Sequence, residues 1–284
     1  MGTPAAAVPP LRALVEAGCK IELVVTRPDK RRGRGSALAP SPVKAAAAEL
    51  GLPVSHRVDD VIGAGAELGV VVAFGQLIKP HVLDAVPMVN LHFSLLPRWR
   101  GAAPVERAIL AGDTETGVCL MRLDPGLDTG PVLAVRRTPI GDEETLAELR
   151  SRLVDIGTEV LLEALAGDLG AGEPQADDAT YATKIESAEH RIDWARPAAE
   201  IHRIIRLGSA WTTFRGRRLR IRRATVAPAM SPGTPGSITG LDVTAGDGRA
   251  LRLVEVQPEG KALQPAQAWA NGARLDGRDR LGDA

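Results

Sequence analysis

The stretch that decides the fold reads Met88-Val-Asn-Leu-His-Phe-Ser-Leu-Leu-Pro-Arg-Trp-Arg-Gly-Ala-Ala-Pro104. Its first five residues have the apolar character of a buried strand, except at Asn90 and His92. Those two alternate with Leu91, so both side chains project from the same side of the strand. The residues that follow, with Pro97, Gly101 and Pro104 and the basic Arg98 and Arg100, read as a loop. In open α/β sheets the ligand crevice lies at the carboxyl ends of the strands. A polar pair ending an apolar strand and feeding such a loop is therefore a candidate site, although a lone strand-end histidine is more often structural.

Outward from this segment, residues 21–26 (IELVVT), 69–73 (GVVVA) and 117–123 read as further strands. Pro28 and the basic stretch 29–35 form a loop. Ser41 before Pro42 reads as an N-cap with a first-turn proline, opening a helix that runs to Leu50 and stops at Gly51. The longest helical signal covers residues 143–166, where Leu146, Leu149, Leu153, Ile156 and Val160 form one apolar stripe. Asp142 is its expected N-cap and Gly167 its stop. Strands separated by helices predict an α/β domain with a largely parallel sheet.

From residue 168 to about 191 the pattern weakens to Gly, Ala, Asp, Glu and Pro, and reads as a connection between domains. Beyond it come a helix over 198–207 and short alternating segments at 217–223, 236–240 and 250–256, separated by Gly- and Pro-rich turns. That pattern predicts a small β domain closed as a barrel. The expected division is residues 1–170, a linker over 171–191 and a β domain over 192–284.

Composition narrows the function classes. With 35 basic and 35 acidic residues in 284, the chain is not a histone-like or tail-type nucleic-acid binder, though a local basic patch is compatible with neutrality. Four Trp, three Phe and one Tyr are too few for extended base-stacking platforms. Two cysteines and five scattered histidines offer no disulfide framework and no zinc spacing. The amino terminus lacks the basic and apolar regions of a secretory signal, and no run approaches the ~20 apolar residues of a membrane span. A cytoplasmic protein is expected, and no G-x-G-x-x-G marks a dinucleotide site.

Asp128 stands in Asp124-Pro-Gly-Leu-Asp-Thr-Gly130, two turns directly after a strand. An Asx turn capping its own backbone is the plain alternative to a chemical role, and spacing alone does not bring it to His92.

Residues 90–104, followed by Gly126-Leu-Asp-Thr-Gly130, resemble the signature of the folate-dependent formyltransferases. The likeness extends over nearly the whole chain, through Gly2-Thr3-Pro4, Thr26-Arg-Pro-Asp29, Pro40-Ser-Pro-Val-Lys44, Ala73-Phe-Gly75, Arg191-Ile-Asp-Trp194 and Gln257-Pro-Glu-Gly-Lys261. It implies a Rossmann-like formyltransferase domain with a mostly parallel sheet and a carboxyl-terminal OB-like β-barrel. It also implies transfer of the formyl group of 10-formyltetrahydrofolate to an amine, here that of methionine on initiator tRNA, by a monomer that needs no metal. The family's catalytic trio falls on Asn90, His92 and Asp128. Folate is expected against Phe74, Gly75, Leu77, Ser94, Leu95, Leu96, Pro97 and Leu127. Phe74 as ordinary core and Ser94 as a loop brace are the competing readings. A sugar-amine or purine-precursor formyltransferase, or an inactive folate- or RNA-binding homologue, is the alternative function.

For the tRNA side, Arg27, Lys30, Arg31, Arg32 and Arg34 put five positive charges into eight residues. Alone this is a solvated loop; in the family an insertion here enters the acceptor arm, and Arg34 is the expected contact. Six of the nine residues at 215–223 are arginine, and Arg218, Arg220 and Arg222 should face away from Leu219 and Ile221. Three departures from the family pattern stand out. The sequence starts where the family has a preceding apolar strand of about six residues, so an upstream start is expected. The segment 206–211 is short, and Phe93 replaces a small residue.

Overall fold

The structure, a computed structural model, describes residues 1–31, 38–230 and 233–283, with the side chains of 228–230 outside that description. It divides into two compact units. One comprises Met1–Val105, Glu115–Pro139 and Arg150–Thr183; the other comprises Glu106–Thr114, Ile140–Leu149 and Lys184–Ala284.

In the first unit, β1 (Val24–Val25) pairs in parallel with β4 (Val54–Ser55), while β2 (Lys30–Arg31) and β3 (Leu38–Ala39) form an exposed hairpin. The main sheet has the order β5 (Gly69–Val72), β6 (Met88–His92), β8 (Glu115–Arg122), β9 (Val132–Pro139). A separate short parallel pair joins β7 (Arg100–Gly101) to β10 (Tyr181–Ala182). Within the main sheet only β5 and β6 are parallel; β6–β8 and β8–β9 are antiparallel. The expected mostly parallel sheet is therefore corrected to a mixed one. The turn from β8 to β9 spans only residues 123–131, too short for the dozen or more residues a parallel crossover needs. The chain there has to reverse.

Local signals place the helices. Prolines stand in the first turn of α1 (Val8–Glu16) and of α3 (Pro80–Ala85), where a missing N–H costs nothing. Ser41 accepts a 3.0 Å bond from the Lys44 amide, and α2 (Pro42–Glu49) ends before Gly51, whose φ of +67° reverses the chain. A short α4 (Pro104–Ala111) follows β7. The long helix α5 (Leu146–Ala166) does not use Asp142. Its cap is Thr145, whose hydroxyl accepts from the Glu148 amide while Glu148 accepts from the Thr145 amide. Leu149, Leu153, Val160 and Leu161 on this helix are buried.

Met1 and Gly2 lie between β1 and β5, the Gly2 amide bonding to Val25 and the Val72 amide to Met1. Beside them is a cavity of about 120 Å³ lined by Leu14, Leu23, Val70 and Met88, among others.

The second unit carries an antiparallel sheet in the order β11 (Trp211–Phe214), β12 (Arg217–Met230), β15 (Arg249–Pro258), β14 (Asp242–Thr244), β13 (Ile238–Thr239), with β16 (Gln264–Pro265) on β15. Leu219, Ile221, Leu251, Leu253 and Val256 pack beneath α6 (Ala198–Arg206) and with Trp269 of α7 (Ala266–Ala273). Among the described residues no sheet closes into a barrel, which corrects the OB-like expectation. β11 and β13 are the two edges; isolated bridges join Phe214 of β11 to Leu281, and Ser237, just before β13, to Arg280. Alternation in sequence sets which face of each strand is buried. Closure depends on strand tilt and stagger between distant segments, which alternation does not encode.

Candidate functional site

Asn90 and His92 lie in the second half of β6, an inner strand of the main sheet, and both side chains are buried. Burial follows from the neighbours on either side: β6 pairs β5 through Val71 and Val72 and β8 through Met121, Leu120 and Cys119. Asp128 lies in the loop between β8 and β9. β8 runs antiparallel to β6 and ends beside Val89, so that loop has to fold back to reach the site, where His92 Nδ1 lies 3.6 Å from Asp128 Oδ2. The same carboxylate oxygen accepts the Gly101 amide at 2.7 Å. His92 Nε2 is 2.9 Å from the Trp99 carbonyl, which can only accept, so Nε2 carries a hydrogen. The ring then complements the Asp128 carboxylate when Nδ1 is protonated as well, as an imidazolium. Among the described residues no side-chain hydrogen bond engages the Asn90 amide.

Asp128 holds its backbone at φ +52°, in the left-handed region that an Asp tolerates better than most side chains. Gly130 follows where any side chain would collide: a Cβ there would stand 2.1 Å from the Arg122 carbonyl oxygen. The Gly126 amide and Thr129 hydroxyl both bond Asp124 Oδ1, fixing the first turn. The Asx turn considered for Asp128 thus belongs to Asp124 instead.

The remaining expected site residues scatter. Phe74 is buried in a cluster with Val25, Val71, Ile78 and Val82. Gly75 has φ +66°, and its carbonyl accepts the Arg27 guanidinium. Leu77 and Leu127 are 72% and 55% exposed, apolar surface open to solvent among the described residues. Ser94 is buried and donates to the Arg98 carbonyl at 2.6 Å, so it braces its own loop; Leu95, Leu96 and Pro97 of that loop are half-buried. Lys30 and Arg31 are exposed on the hairpin, while Arg32 and Arg34 lie outside the described residues. In the second unit Arg218, Arg220 and Arg222 are exposed. Arg218 stacks 4.2 Å from the Trp211 ring centroid, and Arg222 donates to the Gly208 carbonyl.

Two polar residues of this region carry no sequence signal. Gln175 bonds Arg100 and the Asp128 loop, and Thr180 accepts the Trp99 amide at 2.9 Å. Both lie in the weakly patterned stretch that reads as a linker.

A family model described as "Formyl transferase" matches residues 2–165, and one described as "Formyl transferase, C-terminal domain" matches residues 184–274. A methionyl-tRNA formyltransferase of Symbiobacterium thermophilum is 47% identical over 96% of this chain and 91% of its own length. One from Methylococcus capsulatus is 46% identical over 99% of this chain and 98% of its own. Among solved structures, the sugar 3N-formyltransferase WlaRD superposes with a TM-score of 0.70 at 19% identity, covering 92% of this chain and 97% of its own, a likeness of fold.

Proposed function

This chain belongs to the methionyl-tRNA formyltransferase family of folate-dependent formyltransferases, and we propose from that membership how its residues carry the reaction. The enzyme transfers the formyl group of 10-formyltetrahydrofolate to the amino group of methionyl initiator tRNA. The observation that supports a residue-level reading is the 3.6 Å approach of Asp128 to His92 beside an unengaged Asn90 amide.

The neutral amine attacks the formyl carbon, and negative charge gathers on the formyl oxygen. Asn90 donates its amide hydrogen to that oxygen. His92, held by Trp99 and facing Asp128, is the second polar group beside it. Such preorganised donors are worth about 3–4 kcal/mol each when well aimed. As the new C–N bond forms, the amine's proton passes to Asp128; as the bond to N10 of the folate breaks, Asp128 returns that proton to N10, which leaves as the neutral amine. Asp128 Oδ2 is already occupied by Gly101, which leaves Oδ1 for that proton. An α-amino group titrates at roughly 8, so no strong base is required.

Leu77 and Leu127 offer the apolar surface for the folate ring, with the 94–97 loop beside the trio, and Phe74 stays in the core. The arginines of β12 and the Lys30–Arg31 hairpin contact tRNA phosphates. The enzyme acts as a cytoplasmic monomer, the first unit catalytic and the second RNA-facing. No helix among the described residues is long and apolar enough to cross a membrane.

Formylation of charged initiator tRNA by wild type, Asp128→Asn and Asn90→Ala tests this. Wild type transfers, and each variant loses on the order of 10²-fold or more in kcat. Full-rate transfer by Asp128→Asn would remove the proton-accepting role.

A further inference from the structure

We propose that Gln175 is a positioning residue for the formyl transfer, holding Asp128 in reach of His92 from a strap that crosses two site loops. The inference rests on the catalytic reading of Asn90, His92 and Asp128.

The strap is the segment 173–182. At one end Glu173 and Val132 exchange both backbone hydrogen bonds at 2.8 Å, just past the Asp128 loop. At the other, β10 pairs in parallel with β7, and the Arg100 amide bonds the Thr180 carbonyl at 2.8 Å. The strap therefore grips the loop that follows His92 and the loop that carries Asp128.

Gln175 joins the two directly. Its Oε1 accepts Arg100 Nε at 3.0 Å and Nη2 at 2.7 Å, while its Nε2 donates to the Asp128 carbonyl at 2.9 Å and the Gly130 carbonyl at 2.7 Å. A guanidinium only donates and a backbone carbonyl only accepts. The residue between them needs an acceptor at one end and two donors at the other, and an uncharged primary amide supplies both. The orientation of the amide is fixed by that same requirement. A carboxylate of equal size would keep Arg100 but set its second oxygen against two carbonyl oxygens.

The consequence concerns Asp128. Its backbone stands in the left-handed region at φ +52°, and such a conformation persists only where its surroundings over-determine it. Gln175 clamps the carbonyls of Asp128 and of Gly130, two residues on. The Gly101 amide that meets Asp128 Oδ2 comes from the β7 edge, which the strap pairs through Ala182. Loss of the clamp lets the carboxylate swing off His92 without unfolding the unit, because Gln175 is half-buried and outside the apolar core.

The test compares wild type, Gln175→Ala, Gln175→Glu and Asp128→Asn in steady-state formylation of methionyl initiator tRNA across pH 5–9, with thermal melts alongside. A geometric slip of about 1 Å at a reacting group lowers rate on the order of 10²-fold. Gln175→Ala is expected to lose kcat on that scale, with KM for 10-formyltetrahydrofolate little changed. Gln175→Glu is expected to lose as much at pH 8, then recover relative to Gln175→Ala toward acid pH, where the protonated carboxyl donates to a carbonyl. Wild-type kcat in Gln175→Ala overturns the assignment. So do equal losses in the two variants with superimposable pH profiles, the sign of a merely structural residue. If one variant fails to fold, the pH profile or kcat of the other decides. Transfer by wild type with loss in Asp128→Asn upholds the catalytic reading whatever Gln175 does; no transfer by wild type ends both.

Discussion

Histidines in this chain show how environment, more than residue type, assigns a role. His92 is held in place, with Nε2 2.9 Å from the Trp99 carbonyl and Nδ1 3.6 Å from the Asp128 carboxylate. His202 is as deeply buried on α6, in the second unit, with Nε2 3.2 Å from Glu143 Oε2. Burial, foremost, holds its imidazole below the ordinary histidine value; Glu143 works against that, and Arg206 works with it. A histidine with a depressed folded pKa binds fewer protons folded than unfolded as pH falls below about 6.5. Its stabilisation is fully present above that pH and is lost as pH drops through the folded pKa. Urea midpoints should therefore fall between pH 7.5 and 5.5, and His202→Gln should flatten that slope. An unchanged slope in the variant would assign the acid sensitivity elsewhere. The alternation of Asn90 and His92 is legible because period two is local to one strand. The approach of Asp128 is not, since the loop leaves β8 beside Val89 and has to fold back to meet the Gly101 amide.

At the scale of elements, caps are legible where they are self-contained. Ser41 bonds the Lys44 amide three residues on and, at 2.7 Å, the Thr26 hydroxyl across from it. Ser41→Ala should lower unfolding free energy by about 1 kcal/mol, or more because Thr26 loses a buried partner, read from denaturant melts with activity intact. For α5 the sequence pattern points to Asp142 and the structure uses Thr145, because residues Gly141–Glu144 close a turn first, the Glu144 amide bonding Gly141. The linker departs further from its sequence reading. Residues 171–183 look unstructured because their order comes from backbone pairing with β7 and β9, which needs no apolar pattern. On β12 the alternation is legible, with Leu219 and Ile221 buried and the arginines outward. Of those, Arg220 has no side-chain partner among the described residues, so its charge is wholly available.

Over the whole molecule, formal neutrality with exposed arginine clusters fits an enzyme that holds RNA locally without binding it everywhere. Replacing Arg218, Arg220 and Arg222 together with Ala should weaken initiator-tRNA binding. It should also lower the slope of log affinity against log salt by roughly 0.7–0.9 for each phosphate left without its arginine. Folate affinity should stay unchanged. A salt series with an unaltered slope would place the RNA elsewhere.

By itself the sequence determined the family, the polar pair on β6 and the places of α2, α5 and α6, because long motifs, caps and strand alternation are written in neighbouring residues. Tertiary structure alone decided that the first sheet is mixed, that the second stays open, and that a plain glutamine in a low-pattern stretch clamps the Asp128 loop. Those features depend on how distant strands orient and on which backbone groups are left to satisfy. Chain direction and hydrogen-bond demand of that kind leave no trace in local composition.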